Sequence, residues 1–317
     1  MLTALTFAVA LVVGLVVTPI VRGFAQRRGL LDQPGGRKIH QVAIPRLGGV
    51  AMAIAFGVAI GIATLASPDL GATLGLRPNR APAILVGVGL LLAVGIVDDT
   101  RGMRALVKLA FQLAAALVAW GLGLSVEQLF LPWGTVDLGP LALPVTVAWI
   151  VGVINAINLI DGLDGLATGV VLTVLGAFGL LAAADGVDPT LYIVAATLGA
   201  AVGFLAYNLH PATIIMGDTG SMVLGFVVAA VGISLTQDGV HPQPPWVPII
   251  ALGVPLLDTA WAVVRRTARG EPFFVADRGH IHHQLLRFGF SQRDAMLSLT
   301  AVSAGLAVVA VLLGRLA

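Results

Sequence analysis

Ten apolar runs, each about 17–22 residues long and so matched to the hydrocarbon core of a bilayer, leave this chain few architectures. They fall at roughly 2–21, 49–66, 81–97, 106–124, 141–157, 166–184, 190–207, 220–236, 247–264 and 295–314. Turns and Gly/Pro clusters separate them, as at Ser67–Pro68 and around Pro242, Pro244 and Pro245. Hydrophobic residues make up 58% of the chain and its mean hydropathy is +0.98, far beyond a soluble domain. The expectation is an all-α, polytopic integral membrane protein with about ten transmembrane helices, forming a single transmembrane domain over 1–317. The longest polar stretches, 22–48 and 265–294, are too short for a second domain with its own core. The first run lacks a basic leader and a small-residue cleavage site, so it reads as a retained helix. The chain has no cysteine, which excludes disulfides and thiolate chemistry, and no repeat argues for an inverted-repeat transporter.

Orientation follows from the cations. With ten spans the loops alternate sides, and 15 of the 18 Lys and Arg fall on one of them. Only Arg77, Arg80 and Arg315 fall on the other. The positive-inside rule makes the rich side cytoplasmic, through loops at about 22–48, 98–105, 155–165, 208–219 and 265–294. Both termini then lie outside, in a multi-pass protein of the inner (cytoplasmic) membrane.

The polar segments sort the same way. RKIHQVAIPRLGG (37–49), VDDTRGMRALVK (97–108), NAINLIDGLDG (155–165), NLHPATIIMGDTGS (208–221) and DRGHIHHQLLRFG (277–289) all reach the cytoplasmic side. Five loops can therefore build one site at the membrane surface. Asp98, Asp99, Asp161, Asp164 and Asp218 sit at or near helix ends on that face, and ionisable groups so close to hydrocarbon are costly and usually functional. Asp218 also reads as the N-cap of the eighth helix. No Lys or Arg occurs between Lys108 and Arg265, so Asp161, Asp164 and Asp218 need a partner from a distant loop, or a cation.

Asp and Asn offer only hard oxygen donors, which suits Mg²⁺ or Mn²⁺ over Zn²⁺. Mg²⁺ uses one or two carboxylates and completes its octahedron with water and substrate phosphates. Asn155, Asn158, Asp161 and Asp164 are spaced three apart, a row that drifts by about 60° per step on a regular helix. One helix cannot aim all four at one ion, and Gly162 and Gly165 signal a bend. Some of the four are expected on substrate and only one or two on metal. His280, His282 and His283, with Arg278, Arg287 and Lys108, suit phosphate anions; a zinc site and solvated loop residues are the alternatives. Asp258 lies seven residues before Arg265, roughly 10 Å inside the helix end, and suits either a bond between helices or a place in the site.

The motifs KIHQVAIPRLGG, GIVDDTRGMRALVKLAFQ, NAINLIDGLDGLATG, GDTGSMVLGF, PLLDT and DRGHIHHQLLRFG together resemble the polyprenyl-phosphate N-acetylhexosamine-1-phosphate transferases. They run in family order over nearly the whole chain. DRGHIHHQLL is similar to the GlcNAc branch; the muramoyl-pentapeptide branch usually carries three consecutive His followed by an acid. The resemblance implies transfer of GlcNAc-1-phosphate from UDP-GlcNAc to undecaprenyl phosphate, with release of UMP. It implies Asp218 as the principal Mg²⁺ ligand, with Asn158 as its second, and Asp98, Asp99 and Lys108 as catalytic residues. It places Asn155, Asp161, Asp164, His280, His282, His283 and Arg278 on substrate, with Lys38, His40 and Arg46 from the first loop. Membrane lipid is the remaining partner, no nucleic acid is expected, and homodimers are common among polytopic relatives. UDP-MurNAc-pentapeptide or another UDP-N-acetylhexosamine is the alternative donor. A transporter is the alternative of another class, against which the acids cluster at one face.

Overall fold

The computed structural model describes residues 1–35, 42–67, 80–183, 189–237, 242–270 and 279–316. Helix α1 (Leu2–Arg27) leads through a ribbon of β1 (Leu31–Asp32) and β2 (Ile44–Pro45) into α2 (Gly48–Ala66). Then come α3 (Arg80–Arg101), α4 (Ala105–Gly121) and a hairpin of β3 (Gln128–Leu131) and β4 (Gly134–Asp137). The chain continues as α5 (Ala142–Ile160), α6 (Leu166–Ala182), α7 (Pro189–Asn208) and α8 (Gly217–Thr236). It closes with α9 (Trp246–Ala251), α10 (Gly253–Ala268), the short α11 (Ile281–Arg287) and α12 (Gln292–Leu316).

Each apolar run of the sequence is helical here, with one interruption. The ninth run divides into α9 and α10 at Leu252, because Pro255 has no N–H to return to the carbonyl of Ala251. Among the described residues seven helices are long and apolar enough to cross a membrane, and α4 and α6 are shorter apolar helices. The chain is a multi-pass membrane protein. The two ribbons are a small departure from an all-α reading. Gly134, at φ 137°, turns the β3–β4 hairpin, and the Gln237 side chain accepts from the N–H groups of Glu127 and Gln128 to hold it against the end of α8.

Helix α8 is the axis of the bundle and is buried along its whole apolar length. Helices α2, α3, α5 and α6 pack around it, while α1 packs on α2 and α7, and α12 on α6 and α9. Lipid provides no hydrophobic drive between helices, so close approach through small residues does the work. A side chain at Gly49 would collide with the backbone of Gly220, and one at Gly95 with that of Thr219. The first turn of α8 is thereby clamped between α2 and α3, with no side chain as a spacer. The polar cluster starts from this turn.

Candidate active site

Asp218 stands in the first turn of α8, but it is not that helix's cap. The N-cap is Met216, which makes no side-chain cap bond. The cap comes from another helix: Asp99 Oδ1 accepts from the N–H of Asp218 at 3.0 Å. Its Oδ2 accepts from the N–H of Thr219 at 3.0 Å and from the Thr219 hydroxyl at 2.5 Å. Gly217, at φ 68°, lets this carboxylate lie against the backbone, where any side chain would collide with it. The N-cap expected of Asp218 is thus supplied by Asp99, and the Asp218 carboxylate is left for other partners.

Those partners are Lys108 and Asn158. Lys108 Nζ donates to both Asp218 Oδ2 and Asp98 Oδ2, the second at 3.1 Å. Asn158 Nδ2 donates to Asp218 Oδ1 at 3.1 Å and to Ser221 Oγ at 2.8 Å. Asp98 Oδ1 also accepts from the N–H of Met103 at 2.6 Å, which closes the α3–α4 turn. The ends of α3 and α5 and the starts of α4 and α8 therefore meet in one polar cluster, and Asp98, Asp99, Lys108, Asn158 and Asp218 all belong to it.

The turn between α5 and α6, residues 161–165, forms the rim. Gly165 sits at φ 76°, so the backbone bends where the glycines signal it. Asp164 Oδ2 pairs with His210 Nδ1 at 2.8 Å and accepts from the N–H of Ala212 at 3.0 Å. Buried Asn208 accepts from the N–H of Gly165 and donates to the carbonyl of Ile214, tying this turn to the loop that leads into α8. Asp161 is half-buried, and burial beside Asp218, Asp99 and Asp164 pushes its carboxyl up to about 8 from the ordinary 3.8.

The folded chain then holds a proton on Asp161 that the unfolded chain has lost, between about pH 4 and pH 8. Stability falls as pH rises through that window and levels off above it. Asp161→Asn is expected to melt higher than the wild type at pH 8 in EDTA and to match it near pH 4, as read by thermal unfolding in detergent. Equal melting temperatures at both ends would contradict this account of the carboxyl.

Other expected site residues lie elsewhere. Asn155, one turn below Asn158, donates to Gln112 Oε1 at 2.7 Å and to the carbonyl of Val151, joining α5 to α4. Arg46 pairs with buried Asp32 across the β1–β2 ribbon, whose Pro45 carbonyl accepts from the N–H of Ile215. His280 is 5% exposed and bonds Asp258. His282 is 2% exposed and packs over Gly162, where a side chain would collide with its imidazole; burial and the neighbouring His283 push it down to about 3, so it is neutral. His283 is half-buried beside it. Lys38, His40 and Arg278 lie outside the described residues.

Sequence reading gave no task to Thr219, Ser221, Gln112, Asn208 or His210. All five stand inside the quoted motifs, Gln112 as the last residue of GIVDDTRGMRALVKLAFQ, about one helical turn after Lys108. Among the described residues no three His, Asp or Glu side chains gather at metal-binding distance.

A bundle of apolar helices carrying at one end a cluster of acidic side chains, two of them bridged by a lysine, defines a membrane protein with a candidate polar site. Residues 81–236 match the profile of glycosyl transferase family 4. The chain is 39% identical to a Bacillus subtilis protein named probable undecaprenyl-phosphate N-acetylglucosaminyl 1-phosphate transferase, over 92% of this chain and 79% of that one. It is 36% identical to the decaprenyl-phosphate N-acetylglucosaminephosphotransferase of Mycolicibacterium smegmatis, over 93% and 78% of the two chains. Identity is 30% to the undecaprenyl-phosphate alpha-N-acetylglucosaminyl 1-phosphate transferase of Escherichia coli K12, over 92% and 78%. The chain belongs to the polyprenyl-phosphate N-acetylhexosamine-1-phosphate transferases of glycosyl transferase family 4.

Proposed function

We propose that the protein transfers GlcNAc-1-phosphate from UDP-GlcNAc to undecaprenyl phosphate, releasing UMP and leaving a lipid-linked pyrophosphoryl sugar for cell-envelope polysaccharide. The observation that carries this reading is the convergence of Asp98, Lys108, Asn158 and Asp218, drawn from four helices, at one end of the bundle. Relatives named for this chemistry match over most of the chain. The cytoplasmic side is favoured by the 15 cations that the loops of this end would carry. Ten crossings, with α9 and α10 sharing one, is the arrangement that fits both the alternation and the helices.

The donor set fits a hard divalent cation. Asp98, Asp99, Asp161 and Asp218 crowd together with Lys108 bonded to two of them, which is a poor receptor for a diphosphate unless a cation joins it. Asp218 would hold Mg²⁺ or Mn²⁺, with Asn158 beside it, and the bound ion would offset charge on the pyrophosphate oxygens. Lys108 neutralises phosphate charge and is held in place by Asp98. The acceptor phosphate is mostly dianionic at neutral pH, its second pKa being about 6, so a strong base is not required. An acceptor oxygen attacks the β-phosphorus of the donor; that bond forms as the bond to the UMP oxygen breaks. Catalysis is then positioning and charge neutralisation, as in phosphoryl transfer generally. Asp99, with both oxygens bonded to the start of α8, is assigned to holding Asp218 and not to nucleophilic attack.

Asp98 orients the acceptor and helps deprotonate it. Asp98→Asn is therefore expected to lose less activity as pH rises above about 6, where the acceptor is already dianionic. A defect of equal size at every pH would remove the proton-handling role. The reading as a whole is tested by UMP release from purified protein with undecaprenyl phosphate and Mg²⁺. UDP-GlcNAc and UDP-MurNAc-pentapeptide would be supplied in parallel. Turnover of UDP-GlcNAc alone is expected; turnover of the muramoyl donor would overturn the branch assignment and keep the chemistry.

A further inference from the structure

The His arm, residues 280–287, carries three of the expected substrate contacts, two of them on a helix too short to hold itself. Seven residues give α11 less than two turns, and an isolated helix of that length is unstable in water. Its N-cap, His280, provides no side-chain cap bond. The bond comes from Asp258 on α10, buried to 7% exposure, whose Oδ1 accepts from the N–H of Ile281 at 2.8 Å. The other oxygen, Oδ2, lies 2.9 Å from His280 Nδ1. A carboxylate at Nδ1 fixes the tautomer with the proton there, so Nε2 presents its lone pair, and buried Arg266 stands 3.5 Å from it. Asp258, His280 and Arg266 thus form a closed polar chain at the root of the arm.

From this root the arm reaches the rim. The His280 and His282 rings lie parallel with centroids 5.8 Å apart, and His283 follows at 4.3 Å from His282. His282 rests on Gly162, between Asp161 and Leu163. Among the described residues its buried Nδ1 has no hydrogen-bond partner to hold the ring in place. Its orientation therefore depends on the backbone of α11, and that backbone is hung from Asp258.

We infer that Asp258 is a positioning residue: acting through His280 and the N–H of Ile281, it sets His282 and His283 over the Asp161–Asp164 turn and so fixes the grip on the donor's sugar phosphate. This rests on the donor reading given above. It also gives His280 a different task from the substrate contact expected of it, since both of its ring nitrogens face protein groups.

The test uses full-length protein in nanodiscs, as wild type, Asp258→Asn, Asp258→Ala, His280→Ala and the double alanine variant. KM for UDP-GlcNAc, KM for undecaprenyl phosphate and kcat are read from UMP release. Hydrogen exchange is read by mass spectrometry over 280–288 and over α8. Each alanine variant is expected to raise the donor KM about 10-fold or more while leaving the acceptor KM unchanged. The double variant should be no worse than either single one, because the two residues act as one link. Asp258→Asn keeps an oxygen for Ile281 but inverts the tautomer of His280, so its donor KM should fall between wild type and alanine. Faster exchange should be confined to 280–288 and the turn beneath it. Unchanged donor KM in Asp258→Ala, additive losses in the double variant, or exchange raised equally across α8 would each overturn the inference. If the wild type releases no UMP from any UDP-hexosamine, the functional reading falls on its own account. The exchange data then decide the anchor: opening confined to the arm upholds it, and none rejects it.

Discussion

Asp218→Ala is expected to lower UMP release on the order of 1,000-fold and to leave the purified protein folded. The carboxylate takes no part in holding its helix, since the cap bonds to α8 come from Asp99. Its removal leaves Lys108 still bonded to Asp98, and Asn158 still bonded to Ser221, so no buried polar group is stranded. What it does remove is the acid that joins the lysine to the asparagine and would hold the divalent ion. Thermal unfolding should stay near that of the wild type while turnover disappears. Retained cation-dependent turnover would break the assignment of Asp218.

Asp99→Ala should have the second largest effect, and of a different kind. It takes the acceptor from two backbone N–H groups and from the hydroxyl of Thr219, a residue with no exposure. Stranding buried donors costs about 1–3 kcal/mol each, less whatever water recovers. The first turn of α8 would fray and carry Asp218 with it, so activity should fall about 100-fold together with stability. Asp99→Asn separates this role from a covalent one. The amide keeps one oxygen for the helix start, so the variant should melt lower than the wild type and yet turn over. A nucleophile would give the opposite pattern, with stability nearly intact and turnover gone.

Much of the architecture was legible because hydrocarbon punishes exceptions. Every apolar run became helix, and the Gly162–Gly165 bend stands where the spacing of Asn155, Asn158, Asp161 and Asp164 required one. The meeting of Asp98, Lys108, Asn158 and Asp218 also followed from placing five polar loops on one face. What stayed hidden was long-range pairing. A sequence displays caps three residues away, whereas the cap of α8 comes from 119 residues upstream and that of α11 from 23. Asn155 carries the same motif signal as Asn158, but the helical phase turns it to Gln112 and away from the cluster. The break at Leu252 rests on a single proline, and the β3–β4 hairpin needed Gln237 from a distant helix end.

The most direct measurement follows phosphorus. UDP-GlcNAc labelled in its α- or its β-phosphate is supplied with undecaprenyl phosphate and Mg²⁺, and the label is partitioned between water and lipid. The account predicts that β-label enters the lipid phase while α-label stays in water as UMP. Both labels remaining in water as UDP would mean attack at the sugar carbon and not at phosphorus, and would contradict it.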